Sequence, residues 1–290
     1  MRTTVWGALC VLVISGATAV PTLAVADAVQ RGAYVFKAAG CVGCHTREKP
    51  KGSMLAGGRR MDTPFGTFFT PNITPDPVHG LGNWTFEQFA AAMREGRTPD
   101  GSVYYPSFPY AAYTGMSDAD LRDLWAYLKS VPPVAEPNRA HDLAFPFSLR
   151  FGVRFWRLLY FDEGRFAPDS ARSDQWNRGA YLVRVLGHCG ECHTPRNLIG
   201  GLDRGRELAG NKNGPDGKHV SNISPHPKKG IGGWSEGDIV ALLKDGSLPD
   251  GDFVGGAMTE VVENSTSRMT NDDLKAIAAY LKALPPDEGP

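Results

Sequence analysis

The residues best suited to chemistry stand in two short runs. Residues 38–50 read AAGCVGCHTREKP, with Cys41, Cys44 and His45. Two thiols at this spacing can clasp zinc, form a redox dithiol or carry a covalently attached heme. The imidazole that follows at once fits heme best. Each thiol forms a thioether to one porphyrin vinyl group, and the histidine lies under the iron as proximal ligand. One such run is open to coincidence. The chain writes it twice: residues 187–194 read GHCGECHT, with Cys189, Cys192 and His193. Four of the five cysteines lie in these runs, and the fifth, Cys10, sits in the N-terminal apolar segment. The reading is two covalently bound heme c groups. Cys41, Cys44, Cys189 and Cys192 form the thioethers, and His45 and His193 are the axial ligands.

The elements that position these residues are repeated too. RGAYVFKAAGCVGCHT (31–46) matches RGAYLVRVLGHCGECHT (178–194), NITPDPVHGLGNWTFEQFAAAMREG (72–96) matches NISPHPKKGIGGWSEGDIVALLKDG (222–246), and SDADLRDLWAYLKSVPP (117–133) matches TNDDLKAIAAYLKALPP (270–286). One unit is written twice. Each copy carries three helical signals. The first precedes the cysteines and holds Gly32 and Tyr34, or Gly179 and Tyr181. The second follows a cap at Thr85 or Ser235, with Gln88 or Asp238 where a capping box places its partner. The third follows Ser117 or Thr270. Its apolar residues fall at helical spacing: Leu121, Leu124, Trp125 and Leu128 in one copy, Leu274, Ile277 and Leu281 in the other. Pro132 and Pro285 stop it.

This unit resembles the class I cytochrome c domain, and the resemblance covers nearly the whole chain after its first segment. Its specific parts are the two cysteine–histidine motifs, the N-I-T/S-P and G-x-G-x-W segments and the A-Y-L of the last helix. The tandem resembles diheme members of a family that includes the cytochrome c subunits of membrane-associated alcohol and gluconate dehydrogenases, which carry three such domains. The resemblance implies an all-α fold of two tandem class I cytochrome c domains. In each, the first and last helices cross at a glycine.

It also implies a distal methionine in the loop before the last helix, since electron-carrying cytochromes c use His and Met. A soft thioether favours Fe(II) and raises the potential. Met258 stands in that loop in the second copy. The first copy departs from the pattern. Trp84 and Trp234 are 150 apart, as are Gly101 and Gly251, and the residue 150 before Met258 is Phe108. Phenylalanine cannot ligate iron. The first heme is therefore five-coordinate or takes its ligand elsewhere. Met116 is the nearest candidate, although Met269 holds the same place in the second copy, beside Met258, where a structural role suits it. His79 is a second candidate, and Met54 and Met61 are further ones. Trp84 and Trp234 are read as contacts to heme propionates, or as core packing. Asn72 and Asn222 are read as turn residues that tie a loop over the heme.

The remaining signals concern compartment and partners. Residues 1–26 have a basic start, an apolar run and small residues at Ala24-Val25-Ala26, the layout of a secretory signal peptide. The apolar run is about 16 residues, short of the roughly 20 that span a bilayer. The expected organisation is a signal peptide over 1–26, cytochrome c domains over 27–135 and 174–290, and a connector over 136–173. The formal net charge is +0 without a basic cluster, which argues against nucleic acid as a partner. The connector is rich in aromatics and arginine. Arg150, Arg154 and Arg157 recur at helical spacing beside Phe147, Phe151, Phe155 and Leu158. It reads as a spacer that packs the two domains, or as a basic amphipathic helix that docks a dehydrogenase or a membrane surface.

The expected function is electron transfer in the periplasm, at the outer face of the inner membrane, with membrane association peripheral at most. The donor is a substrate-oxidising dehydrogenase, and the acceptor is a quinone, an oxidase or another cytochrome. The alternative is a diheme enzyme, peroxidase-like or thiosulfate dehydrogenase-like, that uses an open first heme.

Overall fold

A glycine sets how closely two helices cross in each repeat. The computed structural model describes residues 20–48, 50–214 and 217–290. In the first repeat, α1 (Val20–Ala38) leads into α2 (Cys41–His45), which carries the first cysteine motif. After α3 (Phe86–Glu95) and the short α4 (Tyr110–Tyr113), the repeat closes with α5 (Asp118–Ser130). Helix α1 packs on α5. A Cβ on Gly32 would stand 1.8 Å from the Asp123 carbonyl oxygen, so the helices meet backbone to backbone.

Helix α6 (Phe151–Tyr160) lies in the connector. In the second repeat, α7 (Asp174–Tyr181) runs through one π-helical turn, Leu182–Leu186, into α8 (Gly190–His193). Then come α9 (Glu236–Asp245), α10 (Ala257–Asn264) and α11 (Asn271–Lys282). Helix α7 packs on α11, and a Cβ on Gly179 would stand 2.0 Å from the Ala276 carbonyl oxygen. The leader expected over 1–26 lies for the most part outside the described residues; Ala24–Ala26 fall within α1.

Local chemistry accounts for the helix ends. Thr85 and Ser235 each form a full capping box, with Gln88 and with Asp238. Ser117 and Thr270 cap α5 and α11 through the amides of Asp120 and Asp273. Leu121, Leu124 and Leu128 on α5 are buried, as are Leu274, Ile277 and Leu281 on α11.

The fold is rich in helix but departs from the all-α expectation. A three-stranded antiparallel sheet joins β1 (Arg60–Thr63), β2 (Gly66–Phe69) and β3 (Asp142–Leu143), with Met61 opposite Phe68 and Thr67 opposite Asp142. The segment RMDTPFGTFFT supplies β-favouring Thr and Phe around a tight turn, and the turn rests on Gly66 at φ 117° and on the Thr63 hydroxyl.

The repeats are packed by matched contacts. Tyr34 of the first donates its phenol proton to Asp273 and accepts from the Thr270 amide (3.2 Å), at the cap of α11. Tyr181 of the second donates to Asp120 (2.5 Å) and accepts from the Ser117 amide (3.1 Å), at the cap of α5. Helix α6 touches both repeats: Arg157 donates to the Glu95 carbonyl, and the Trp156 indole donates to the Ile199 carbonyl (3.1 Å).

Candidate functional site

The two histidines are anchored alike. His45 Nδ1 lies 2.8 Å from the Pro71 carbonyl oxygen, and His193 Nδ1 lies 2.8 Å from the Ser221 carbonyl oxygen. A carbonyl only accepts, so each Nδ1 carries the proton and each Nε2 keeps a free lone pair. That tautomer can bind a metal. Desolvation holds both imidazole pKa values below the ordinary value, against the opposing effect of the carbonyl bond, which favours the neutral ring a ligand needs. Cys41, Cys44, Cys189 and Cys192 form no disulfide among the described residues. Burial pushes the Cys41 and Cys189 pKa values up to about 12 and that of Cys192 to about 11. Among the described residues, no group of three or more His, Cys, Asp or Glu side chains is placed to hold a metal ion. Two thiols and a correctly held imidazole fit a covalent heme in each repeat.

A small device behind each histidine escaped the sequence reading. Leu55 and Leu208 are fully buried and hold positive φ, 62° and 65°. Their amides donate to the hydroxyls of Thr46 and Thr194, 3.1 Å in both cases. Their carbonyls accept from the amides of Ile73 (2.9 Å) and Ile223 (3.0 Å). The next glycines donate back to the histidines, Gly57 to His45 (2.8 Å) and Gly210 to His193 (2.7 Å). A non-glycine residue in this region is strained by on the order of 1–3 kcal/mol and persists where its surroundings fix it. The repeated tripeptide Leu-Ala-Gly, at 55–57 and 208–210, was the available signal.

The asparagines tie their loops to the chain beyond the last helix. The Asn72 carbonyl oxygen accepts from Thr74, and its amide donates to Val134 (2.8 Å) and Glu136 (3.1 Å). Asn222 accepts from Ser224 and donates to Asp287 (2.7 Å). Trp84 and Trp234 are half-buried against the core. Lysines from the last helices hold their loops: Lys129 donates to Gly82 (2.6 Å), and Lys282 to Gly232 and Trp234 (both 2.8 Å).

Met258 stands in the first turn of α10, half-buried against the core, and Phe108 is likewise half-buried against the core of its own repeat. Met116 and Met269 are both buried, and each amide donates to the carbonyl three residues back, Tyr113 and Thr266. Arg94 also donates to the Met116 carbonyl (2.7 Å). His79 is half-buried in a turn closed by the Asp76 carboxylate, which accepts its amide (2.7 Å). Met54 is half exposed, and Met61 lies on β1.

The two motifs are also brought together. Tyr113 Oη donates to the Ala39 carbonyl (3.3 Å), two residues before Cys41, and its ring meets His188 edge-on at 5.4 Å, one residue before Cys189. Arg59 donates to the Gly43 carbonyl (2.5 Å), between the first pair of cysteines, and to Glu260 on α10 (2.5 Å). Ser265 donates to the Ala38 carbonyl (3.0 Å). The loop that follows Phe108 or Met258 therefore packs on the other repeat's attachment segment. Motif matching finds the cysteines but cannot say which distant tyrosine spans them.

Crossing helices around a C-x-x-C-H turn, with the histidine held through Nδ1, define a c-type heme protein. The cytochrome c family model matches residues 29–132. A diheme cytochrome c-type protein of Cereibacter sphaeroides is 46% identical over 264 residues, covering 88% of this chain and 85% of the relative. The chain belongs to the cytochrome c family, which supports heme c as its cofactor. The fructose dehydrogenase cytochrome subunit of Gluconobacter japonicus is 40% identical over 267 residues, covering 91% of this chain and 54% of that subunit. The cytochrome c subunit of the quinone-dependent alcohol dehydrogenase of Komagataeibacter europaeus is 41% identical over 269 residues, covering 89% and 56%. The chain spans about half the length of these dehydrogenase subunits.

Proposed function

We propose that the chain is a diheme c-type cytochrome that carries electrons from a substrate-oxidising dehydrogenase to a respiratory acceptor. The observation that carries this reading is the duplicated motif whose two histidines are both held through Nδ1 at 2.8 Å. Bound heme supplies reversible one-electron chemistry at iron. The chain's residues do the rest. Cys41, Cys44, Cys189 and Cys192 fix the two groups covalently, His45 and His193 ligate, and Met258 closes the second iron. Trp84 and Trp234 take the propionates. The residues fall into domains at 27–135 and 174–290, joined by 136–173. A cleaved leader delivers the chain to the periplasm. The donor class follows the relatives, which are cytochrome subunits of fructose and alcohol dehydrogenases, and the acceptor is a quinone, an oxidase or another cytochrome. No described helix is long and apolar enough to cross a membrane.

Phe108 favours a second reading, a diheme enzyme whose first iron is open to a substrate such as peroxide or thiosulfate. Carbon monoxide binding to the reduced, heme-loaded protein decides between them. If neither heme binds it, the electron carrier stands, and Met116→Ala or His79→Ala reveals the first heme's distal ligand by opening it. If one heme binds it readily, peroxide and thiosulfate turnover become the assays.

A further inference from the structure

One exposed face holds none of the residues assigned above to heme. It is built from three stretches far apart in the sequence. Helix α6 buries Val153 and, in the same register, engages Trp156 and Arg157 with the two repeats. Its other side presents Phe151, Phe155, Leu158 and Leu159, an apolar stripe at i, i+4, i+7 and i+8. Phe155 is 64% exposed, Leu158 82% and Leu159 66%. The 197–201 turn of the second repeat borders the helix through the Trp156–Ile199 bond, and there Leu198 is 97% exposed. The hairpin tip of the first repeat borders the same turn: Phe65 meets Phe147 edge-on at 4.7 Å and lies against Gly200. Large apolar side chains gathered on one face mark an interaction site.

The charge on this face is lopsided. On this side residues 139–159 hold Arg139, Arg150 and Arg154 against one carboxylate, Asp142; Arg157 points the other way, into the repeats. Arg154 is exposed and makes no ion pair among the described residues. Arg139 and Arg150 line an open groove of about 490 Å³ with Tyr105, His141, Asp142 and Ser148. Just past the helix stand two exposed carboxylates, Asp162, which Arg204 engages, and Glu163.

We propose that this face seats the protein on an anionic phospholipid bilayer. The α6 stripe and Leu198 enter the headgroup boundary, and Arg139, Arg150 and Arg154 meet the lipid phosphates. Charge complementarity selects this occupant: arginines in excess flank the apolar stripe, the pattern of an in-plane amphipathic helix on an anionic leaflet. The side chains also stand out from the surface, which suits a fluid acceptor better than a shaped protein pocket. Ten residues rise about 15 Å, too short to cross the bilayer, so α6 lies along it. Tyr105 donates to the Phe147 carbonyl (3.1 Å), which ties the loop of Phe108 to this same side.

The test is co-sedimentation of the full, heme-loaded protein with vesicles of phosphatidylcholine alone or mixed with phosphatidylglycerol. The expected result is binding to the anionic vesicles, weakened by salt. Leu158→Asp/Leu159→Asp and Arg154→Glu should each weaken it, the leucine pair about tenfold, with unchanged heme spectrum and melting, because these side chains are exposed. Failure to sediment with anionic vesicles overturns the proposal, and so does binding that survives both variants. Vesicle binding unaltered by the leucine variant, together with loss of a cross-link to a dehydrogenase, overturns it in favour of a protein interface.

Discussion

In the first repeat Gly40 precedes the cysteine motif, at φ 63°; in the second His188 precedes it, at φ 39°. Six residues separate Tyr34 from Cys41, and seven separate Tyr181 from Cys189. The extra residue coincides with the π turn at Leu182–Leu186, the form a helix takes around one inserted residue. The left-handed step before the cysteine is kept, although histidine adopts it less readily than glycine. On the distal side the repeats diverge further. Helix α4 has four residues and follows Phe108; α10 has eight and begins beside Met258. The bonds to Nδ1, the strained leucine and the threonine beneath it are the same in both copies. The duplicated scaffold thus preserves what orients the imidazole and lets the chain around Phe108 and Met258 change.

The largest expected effect cuts the comparison in half. Cys189→Ser/Cys192→Ser should lower covalent heme from two groups per chain to one, read by pyridine hemochrome absorbance. Next comes the distal side. Met258→Ala should add one carbon monoxide-binding heme per chain relative to the parent, while Phe108→Met should remove any such binding that the parent's first heme shows. The crossings test the shared scaffold. Gly32→Ala and Gly179→Ala each drive a methyl into a carbonyl oxygen, at 1.8 and 2.0 Å. Each should cost about 3 kcal/mol and lower the melting midpoint by roughly 6–12 °C. Tyr34→Phe and Tyr181→Phe should each cost about 1 kcal/mol, seen as a shift of a few degrees in melting.

The smallest effect concerns acid. Burial alone would raise the Asp273 pKa, but hydrogen bonds from Arg178 and Tyr34 outweigh it and leave it below the ordinary carboxylate value. Its contribution is therefore present above the unfolded carboxyl pKa of about 4 and is lost as pH falls through the lower folded value. Asp273→Asn should flatten the acid limb of a stability–pH curve below about pH 4, measured by denaturant titration.

The repeat, the caps at Thr85, Ser235, Ser117 and Thr270, and the apolar stripe of the last helices were legible because they are local and periodic. The hairpin at 60–69 was missed although its Thr, Phe and Gly residues signal a turn between strands; the family's helical pattern outweighed them. At Leu55 and Leu208 the repeated Leu-Ala-Gly marks the place but not the conformation, because positive φ there is imposed by bonds from remote segments. Tyr34 and Tyr181 were seen as markers of the repeat. Nothing local shows that each serves the other copy.

That exchange has an evolutionary and thermodynamic meaning. Where residue i of one copy meets residue j of the other, and j meets i in return, the surface is self-complementary, as in a twofold dimer. Here Tyr34 reaches the cap of α11 while Tyr181 reaches the cap of α5. The two halves are joined by a peptide tether, so their association depends on the tether's effective concentration and not on how much protein is present. Dilution cannot part them. A half expressed alone would lose the phenol that serves its cap and expose the surface its twin covers.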